Sequence, residues 1–341
     1  MFGLELGAPA ALADHERSPA WLAKPHLFLA TGRSAFTLLA RVLHPPTVWL
    51  PSYLCGVIMG AFPVHLIRAR FYSVDERLRV ADPDWLEEVQ TGDMVVFIDY
   101  FGFNQWSESG AEARKRGAWI VEDACQAMLN ERFCDHSHYV IFSPRKFVGV
   151  PDGGIVLAQG DARLPEQSRP PAPAQWSIEA FAACLLRGEF DRHGGDRRWF
   201  ELFRKTGREG PAEPYRMSEL SQLLLEHVID FGEVGRRRRE NFRRLAMALP
   251  ELAMFVELPG EVVPLGFPVR LAERDKVRRA LFAEQIYPPV HWPLDGVVPK
   301  TFSASHALAE QILTLPCDQR YGEDDMERMV AAVKAEIALD H

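Results

Sequence analysis

The sequence predicts an α/β protein: a large domain with a mostly parallel, covered central sheet, followed by a smaller C-terminal α+β domain. Three observations carry this. Short apolar runs without polar alternation recur through the first half, helix-patterned stretches separate them, and the texture changes after Gln159. Runs of four or five apolar residues suit strands buried on both faces, as in a parallel sheet covered by helices. Strands alternating with helices read as βαβ units. A chain of 341 residues also exceeds one small module, since length over ~150 gives about two domains.

Each element follows from its own residues. The strand candidates are Val48-Trp49-Leu50, Val64-His65-Leu66-Ile67, Met94 to Ile98, Ala118 to Val121, Tyr139 to Phe142 and Gly154 to Leu157. Between them, Ala35, Leu38, Leu39, Val42 and Leu43 recur at helical spacing, as do Trp85, Leu86 and Val89. Residues 164–175 hold four prolines. They exclude a central strand or an uninterrupted helix, because proline lacks the N–H that both require. A long helix is predicted from Glu219, capped by Ser218, with Leu220, Leu223, Leu224 and Val228 on one face. The C-terminal part reads as a strand over Pro264 to Leu271, a helix over Glu273 to Gln285, a strand over Gln311 to Leu315 and a helix over Asp324 to Leu339. The resulting division is a large domain over 1–235 and a small one over 236–341.

Composition narrows the function classes. Hydrophobic residues at 47% and charged residues at 25% match a folded globular chain and not a disordered one. Lys+Arg 39 against Asp+Glu 47 leaves a net charge of −8. That argues against nucleic acid as a partner through the overall field and leaves room only for a local basic groove. Five scattered cysteines, odd in number and without a C-x-x-C pair, point to reduced thiols in a cytoplasmic protein. Glu5, Asp14, Glu16 and Arg17 argue against a signal peptide, and no apolar run reaches the ~20 residues that span a bilayer, so no membrane partner is expected. His136 and His138 beside Cys134 and Asp135 lack a second ligand cluster, and no metal site is expected. Arg236 to Arg239 circle a predicted helix and read as a solvated face paired with Glu233 and Glu240, with phosphate binding as the other reading.

Three motifs carry chemistry. Thr31-Gly32-Arg33-Ser34 precedes the first amphipathic helix, where backbone N–H groups and the dipole favour an anion such as a phosphate. An ordinary N-cap is the competing reading. Ala118 to Gln126 is a buried strand ending in Glu122 and Asp123, at the edge where α/β folds place ligands. A helix-capping Asp with an exposed Glu is the alternative. Tyr139 to Leu157 runs a strand into Ser143-Pro144-Arg145-Lys146 and returns through Gly153-Gly154. Lys146 on that turn is expected to be desolvated, with a lowered pKa. A phosphate cradle, a strand-end carboxylate and a lysine, in that order, are what pyridoxal phosphate needs: the carboxylate keeps its ring nitrogen protonated and the lysine forms the Schiff base.

These motifs, with LPSYLC, DYFGFNQ, VEDACQA, FSPRK and DGG, YRMSEL and LTLPCDQRY, resemble the DegT/DnrJ/EryC1/StrS family of sugar aminotransferases, fold type I pyridoxal-phosphate enzymes. The resemblance covers most of the chain. It implies Lys146 as the Schiff-base lysine and proton shuttle, Asp123 on the pyridinium nitrogen, and Gln126 on the phenolic oxygen. Gly32, Arg33, Ser34 and Ser143 fall where the family grips the phosphate. His291, in YPPVHWPL, and Arg216 are expected at the substrate. Cys55 stands where the family stacks an aromatic ring, with Tyr53 the available replacement. Pro214 stands where the family has an asparagine that reaches a neighbouring subunit, Asp99 replaces the usual histidine, and residues 160–214 diverge.

The function implied is transfer of an amino group from an amino acid, glutamate by analogy, to a keto acceptor such as a nucleotide-linked keto-deoxysugar. A homodimer is implied as well. Two other readings remain: a different pyridoxal-phosphate reaction (cyclisation, elimination or decarboxylation), and a non-catalytic binding module on the same fold.

Overall fold

The computed structural model describes residues 18–62, 67–166 and 169–338. Seven strands form one sheet. They are β1 (His26–Leu29), β2 (Thr47–Pro51), β3 (Arg68–Tyr72), β4 (Met94–Ile98), β5 (Trp119–Asp123), β6 (Tyr139–Phe142) and β7 (Gly154–Ala158), in the spatial order β1-β7-β6-β5-β4-β2-β3. The pairs β2–β3, β2–β4, β4–β5 and β5–β6 are parallel, while β7 runs antiparallel to both neighbours. The central strands β4 and β6 are buried along their whole length, as their unbroken apolar runs require.

The two edge strands escaped the sequence pattern. β3, Arg-Ala-Arg-Phe-Tyr, is only partly buried, and an edge strand has no need of a continuous apolar run. The guanidinium of Arg70 lies 4.5 Å over the Trp49 ring and bonds Glu88 at 2.6 Å. Of the predicted strand at 64–67, residues 64–66 lie outside the described residues, and Ile67 forms a bend just ahead of β3.

The first predicted helix forms as α1 (Gly32–Leu43), while α2 (Ser107–Lys115), between β4 and β5, had no counterpart in the sequence pattern. Trp85 to Val89 supply a single 3-10 turn, Asp84–Glu88, in place of a helix. After the prolines, α3 (Ala174–His193) and α4 (Arg198–Arg208) form a hairpin that the sequence pattern missed. It is pinned by the buried Trp199 and by Trp176 Nε1 donating to the Thr206 carbonyl at 3.0 Å.

The helix expected from Ser218 is short. Ser218 does cap α5 (Glu219–Leu223), but a π turn ends the run at Val228, and Asp230 caps a new helix, α6 (Phe231–Ala248). The predicted face holds only in part: Leu224 packs against the core, but Leu220 and Leu223 are 37% and 52% exposed and Leu225 is buried in their place. A polar anchor decides this. Buried Asp152 accepts from Ser218 Oγ at 2.6 Å and also from Ser221 Oγ, so the Ser218/Ser221 side must face inward.

The C-terminal part pairs β8 (Phe267–Arg270) with β9 (Ile312–Leu315) in an antiparallel ribbon. Around it lie α6, α7 (Arg274–Ala283), α8 (Ser303–Gln311) and α9 (Glu323–Ala338). α6 runs unbroken across position 235. Among the described residues, no helix is long and apolar enough to cross a membrane.

Candidate active site

The C-terminal edges of β5 and β6 carry the candidate groups. Asp123 ends β5, Gln126 follows on the next turn, and β6 runs into a single 3-10 turn carrying Lys146. One cavity is lined by Asp123, Gln126 and Lys146 together with Leu54, Cys55, Ile58, Ile98 and Trp292. Gly154 is required beside it: a Cβ there would lie 2.1 Å from the Thr31 carbonyl oxygen, where β7 meets the start of α1.

Each polar group in the cavity has a defined environment. Asp123 accepts from the Cys125 amide at 3.0 Å through Oδ1. Gln126 accepts from the Phe101 amide at 2.8 Å through Oε1, while its buried Nε2 has no partner among the described residues. A buried donor without an acceptor costs about 1–3 kcal/mol, so this atom is poised for a ligand oxygen. The Lys146 pKa is raised, contrary to the lowered value expected from sequence. Burial pulls it down, but the surrounding acidic groups Cys125, Asp123 and Cys55 outweigh burial. At neutral pH Lys146 is therefore an ammonium, lining the cavity together with Asp123.

Glu122 points to the other face of β5 and is fully buried, so the exposed alternative fails. It accepts from Ser137 Oγ at 2.5 Å and from the Cys134 amide at 3.0 Å. Its neighbour Asp99 accepts from Trp106 Nε1 at 2.8 Å. Burial drives both carboxyl pKa values up, their mutual repulsion raises Glu122 further, and Glu122 holds the proton of the pair. Sequence reasoning noted Asp99 as a departure without finding this partner.

At the start of α1, Thr31 is an ordinary N-cap: its Oγ1 accepts from the Ser34 amide at 3.0 Å and donates to the Pro211 carbonyl at 2.7 Å. Ser34 Oγ donates to the Glu213 carbonyl at 2.7 Å. Arg33 Nη2 donates to the Gly207 carbonyl at 2.9 Å, at the end of α4. The hydroxyls thus bind the 211–213 segment, while Gly32 packs toward Cys125, with 3.5 Å between its Cβ position and the Sγ. Arg145 lies 5.6 Å over the Phe203 ring of α4, and its buried Nε has no partner among the described residues.

Other expected residues are placed differently. Tyr53 is wholly buried behind the cavity wall, its hydroxyl donating to the His291 carbonyl and its ring 5.8 Å from Trp292. The aromatic side chain that lines the cavity is Trp292. His291 bonds Thr314 Oγ1 at 2.8 Å, and its pKa is pushed down to about 3 by burial and by the Lys146 charge, which leaves the ring neutral. Arg216 is half-exposed, 4.0 Å from Glu219, and lines a separate surface pocket with Asp152 and Ser177.

Arg238 breaks the expected solvated face. Arg236 and Arg237 do pair with Glu233, but Arg238 is fully buried and stacks 4.7 Å over Phe147. It donates to the carbonyls of Leu265 at 2.9 Å and Phe147 at 3.2 Å, fixing the residue next to Lys146 from behind. Gln319 Nε2 reaches the same Phe147 carbonyl at 2.8 Å. Nothing in a run of four arginines distinguishes the one that turns inward. His138 accepts from the Ile120 amide at 2.9 Å, and no group of potential metal ligands occurs among the described residues.

Comparison with known proteins identifies the family and the fold. The model of the DegT/DnrJ/EryC1/StrS aminotransferase family matches residues 69–334. No curated protein matches the sequence. Among solved structures, DesV from S. venezuelae, solved with a ketimine intermediate, is 19% identical with TM-score 0.67, covering 93% of this chain and 86% of that one. The sugar aminotransferase Spr1654 from Streptococcus pneumoniae in its PMP form is 15% identical with TM-score 0.67, covering 94% and 89%. CalS13 from Micromonospora echinospora is 16% identical with TM-score 0.63, covering 91% and 87%. These neighbours share the fold type I architecture. The chain belongs to the DegT/DnrJ/EryC1/StrS aminotransferase family and is a pyridoxal-phosphate-dependent aminotransferase.

Proposed function

We propose that Lys146, Asp123 and Gln126 hold pyridoxal phosphate in the cavity they line, and that the enzyme moves an amino group from an amino acid, glutamate in the first instance, to a keto acceptor. The observation that carries this is their convergence: a carboxyl group, a buried amide donor without a partner among the described residues and a lysine amine line one cavity. When bound, the cofactor supplies an electron sink for the electrons left at Cα once its proton is removed. Asp123 would hold the ring-nitrogen proton, Gln126 Nε2 would donate to the ring oxygen, and Lys146 Nζ would take the substrate Cα proton and return it. Trp292 and Ile98, which also line the cavity, would exclude water from it. Gly32, Arg33 and Ser143 are the phosphate-end candidates; Ser34 serves there by closing the 211–213 segment.

A nucleotide-linked keto-deoxysugar is the proposed acceptor class, supported by family membership and by sugar aminotransferases among the structural neighbours. His291, neutral and beside the cavity, is the proposed substrate-facing residue of the C-terminal part. The reading includes a homodimer, supported by Ile178, Phe181 and Leu185 exposed at helical spacing on α3; a monomer by light scattering would remove that part. Incubation with pyridoxal phosphate should give a visible absorbance band, abolished in Lys146→Ala, and glutamate should convert it with release of 2-oxoglutarate. A coloured protein from which no amino acid yields a keto acid would exclude transamination.

A further inference from the structure

A second cleft shares no lining residue with the Lys146 cavity. It encloses about 600 Å³ between the α3–α4 hairpin, the turn after α7 and the β9–α9 connection. Small-molecule sites typically measure ~300–1,000 Å³ and favour such junctions. Its walls combine cations with flat rings. Arg187, Arg197, Arg320 and Arg328 line it against two acids, Asp191 and Asp325, a local excess of positive charge in a chain of net −8.

The four arginines differ in what they have left to offer. Arg187 is committed to Asp191 at 2.6 Å and stacks 4.3 Å over Trp199. Arg320 is committed to Asp318 through two hydrogen bonds, at 2.7 and 2.9 Å. These two pairs are scaffold: they hold the hairpin and the β9–α9 connection in shape. Arg197 and Arg328 are exposed and without a carboxylate partner within 4.0 Å among the described residues. Arg328 donates through Nη1 to the Glu284 carbonyl at 2.7 Å, leaving the rest of its fork open. Arg197 lies 5.0 Å over the ring of Tyr287, itself 40% exposed. A guanidinium stacked on a ring keeps its N–H edge free for an oxyanion, and the forked geometry suits phosphate oxygens.

We propose that this cleft is a second ligand site for a small molecule carrying a flat ring and a phosphate. Arg197 and Arg328 bind the phosphate and Tyr287 offers a face to the ring. A nucleotide and a non-covalently bound pyridoxal-type phosphate both have this chemistry.

The test uses the full chain loaded with pyridoxal phosphate and reduced with borohydride, so that the Lys146 cavity is filled. Loading is scored by absorbance, so failure there is distinguishable from failure of the cleft. Calorimetric titration compares uridine 5′-diphosphate, pyridoxamine 5′-phosphate and uridine. Saturable binding of one phosphate, weakened about tenfold or more in Arg197→Ala/Arg328→Ala with the melting temperature unchanged, is the expected result, and whichever phosphate binds identifies the source. Uridine should bind far more weakly. Absence of binding by both phosphates up to millimolar concentration, equal binding of uridine, or affinity indifferent to the double substitution would each overturn the proposal.

Discussion

Replacing Arg238 by Met keeps much of the buried volume and removes the guanidinium. Its Nη1 donates to Leu265 at 2.9 Å and Pro264 at 3.3 Å, and its Nε donates to Gln319 Oε1 at 2.9 Å. Those three acceptors would be left buried without these donors. The Phe147 carbonyl would keep only its bond from Gln319. At about 1–3 kcal/mol for each stranded group, the sum reaches the ~3–5 kcal/mol typical of breaking a buried charged contact, and partial relaxation places the expected loss near 4 kcal/mol. Because Phe147 adjoins Lys146, the loaded enzyme should also hold its cofactor less tightly. Urea unfolding of Arg238→Met and wild type, with equal slopes, measures the first effect, and cofactor retention through gel filtration measures the second. A loss below ~1 kcal/mol would refute the claim that Arg238 anchors the turn.

Gln126→Glu keeps an acceptor for the Phe101 amide but removes the Nε2 donor, so cofactor affinity should fall about tenfold, the ~1.4 kcal/mol scale of one hydrogen bond; an unchanged dissociation constant would exclude the donor role. The raised pKa values of Glu122 and Asp99 mean that the folded state binds a proton that the unfolded state releases above the ordinary carboxylate range. Their contribution to stability is therefore present at acid pH and lost as pH rises through the folded values. Glu122→Gln mimics the protonated form and should gain stability relative to wild type between pH 5 and 8; a difference constant with pH would disprove the shared proton. Trp292→Ala should weaken cofactor retention while Trp292→Phe largely preserves it, read from the visible band after dialysis; equal retention in both would show that the ring is no wall of the site.

The sheet's buried strands were legible because their whole environment is apolar: β4 and β6 announce themselves in five or four consecutive residues. β3 was not, because an edge strand needs only one covered face and carries residues such as Arg68 and Arg70; the other edge strand, β1, went unread although Leu27, Phe28 and Leu29 are apolar. The order Gly32, Asp123, Lys146 was legible for a similar reason, since each stands at the end of a short, recognisable element. The hairpin of α3 and α4 was hidden by the proline-rich approach to it and by the lack of a single apolar face: α3 buries Trp176 and Ala180 yet exposes Ile178 and Phe181.

By itself the sequence determined which chemical groups the chain brings and in what order they leave the sheet. Strand-end position follows from local pattern, so Asp123 and Lys146 could be placed without knowing their neighbours. Tertiary structure alone decided what surrounds them. Asp152 drew the Ser218/Ser221 side of α5 inward, Arg238 turned into the core between two elements distant in sequence, and Trp292 came to the cavity from the C-terminal part while Tyr53 withdrew behind it. It also determined protonation: Lys146 is raised and not lowered because the acidic groups around it outweigh burial. These outcomes depend on distances between residues far apart in the chain, and electrostatic and packing energies are set by those distances, which local pattern does not encode.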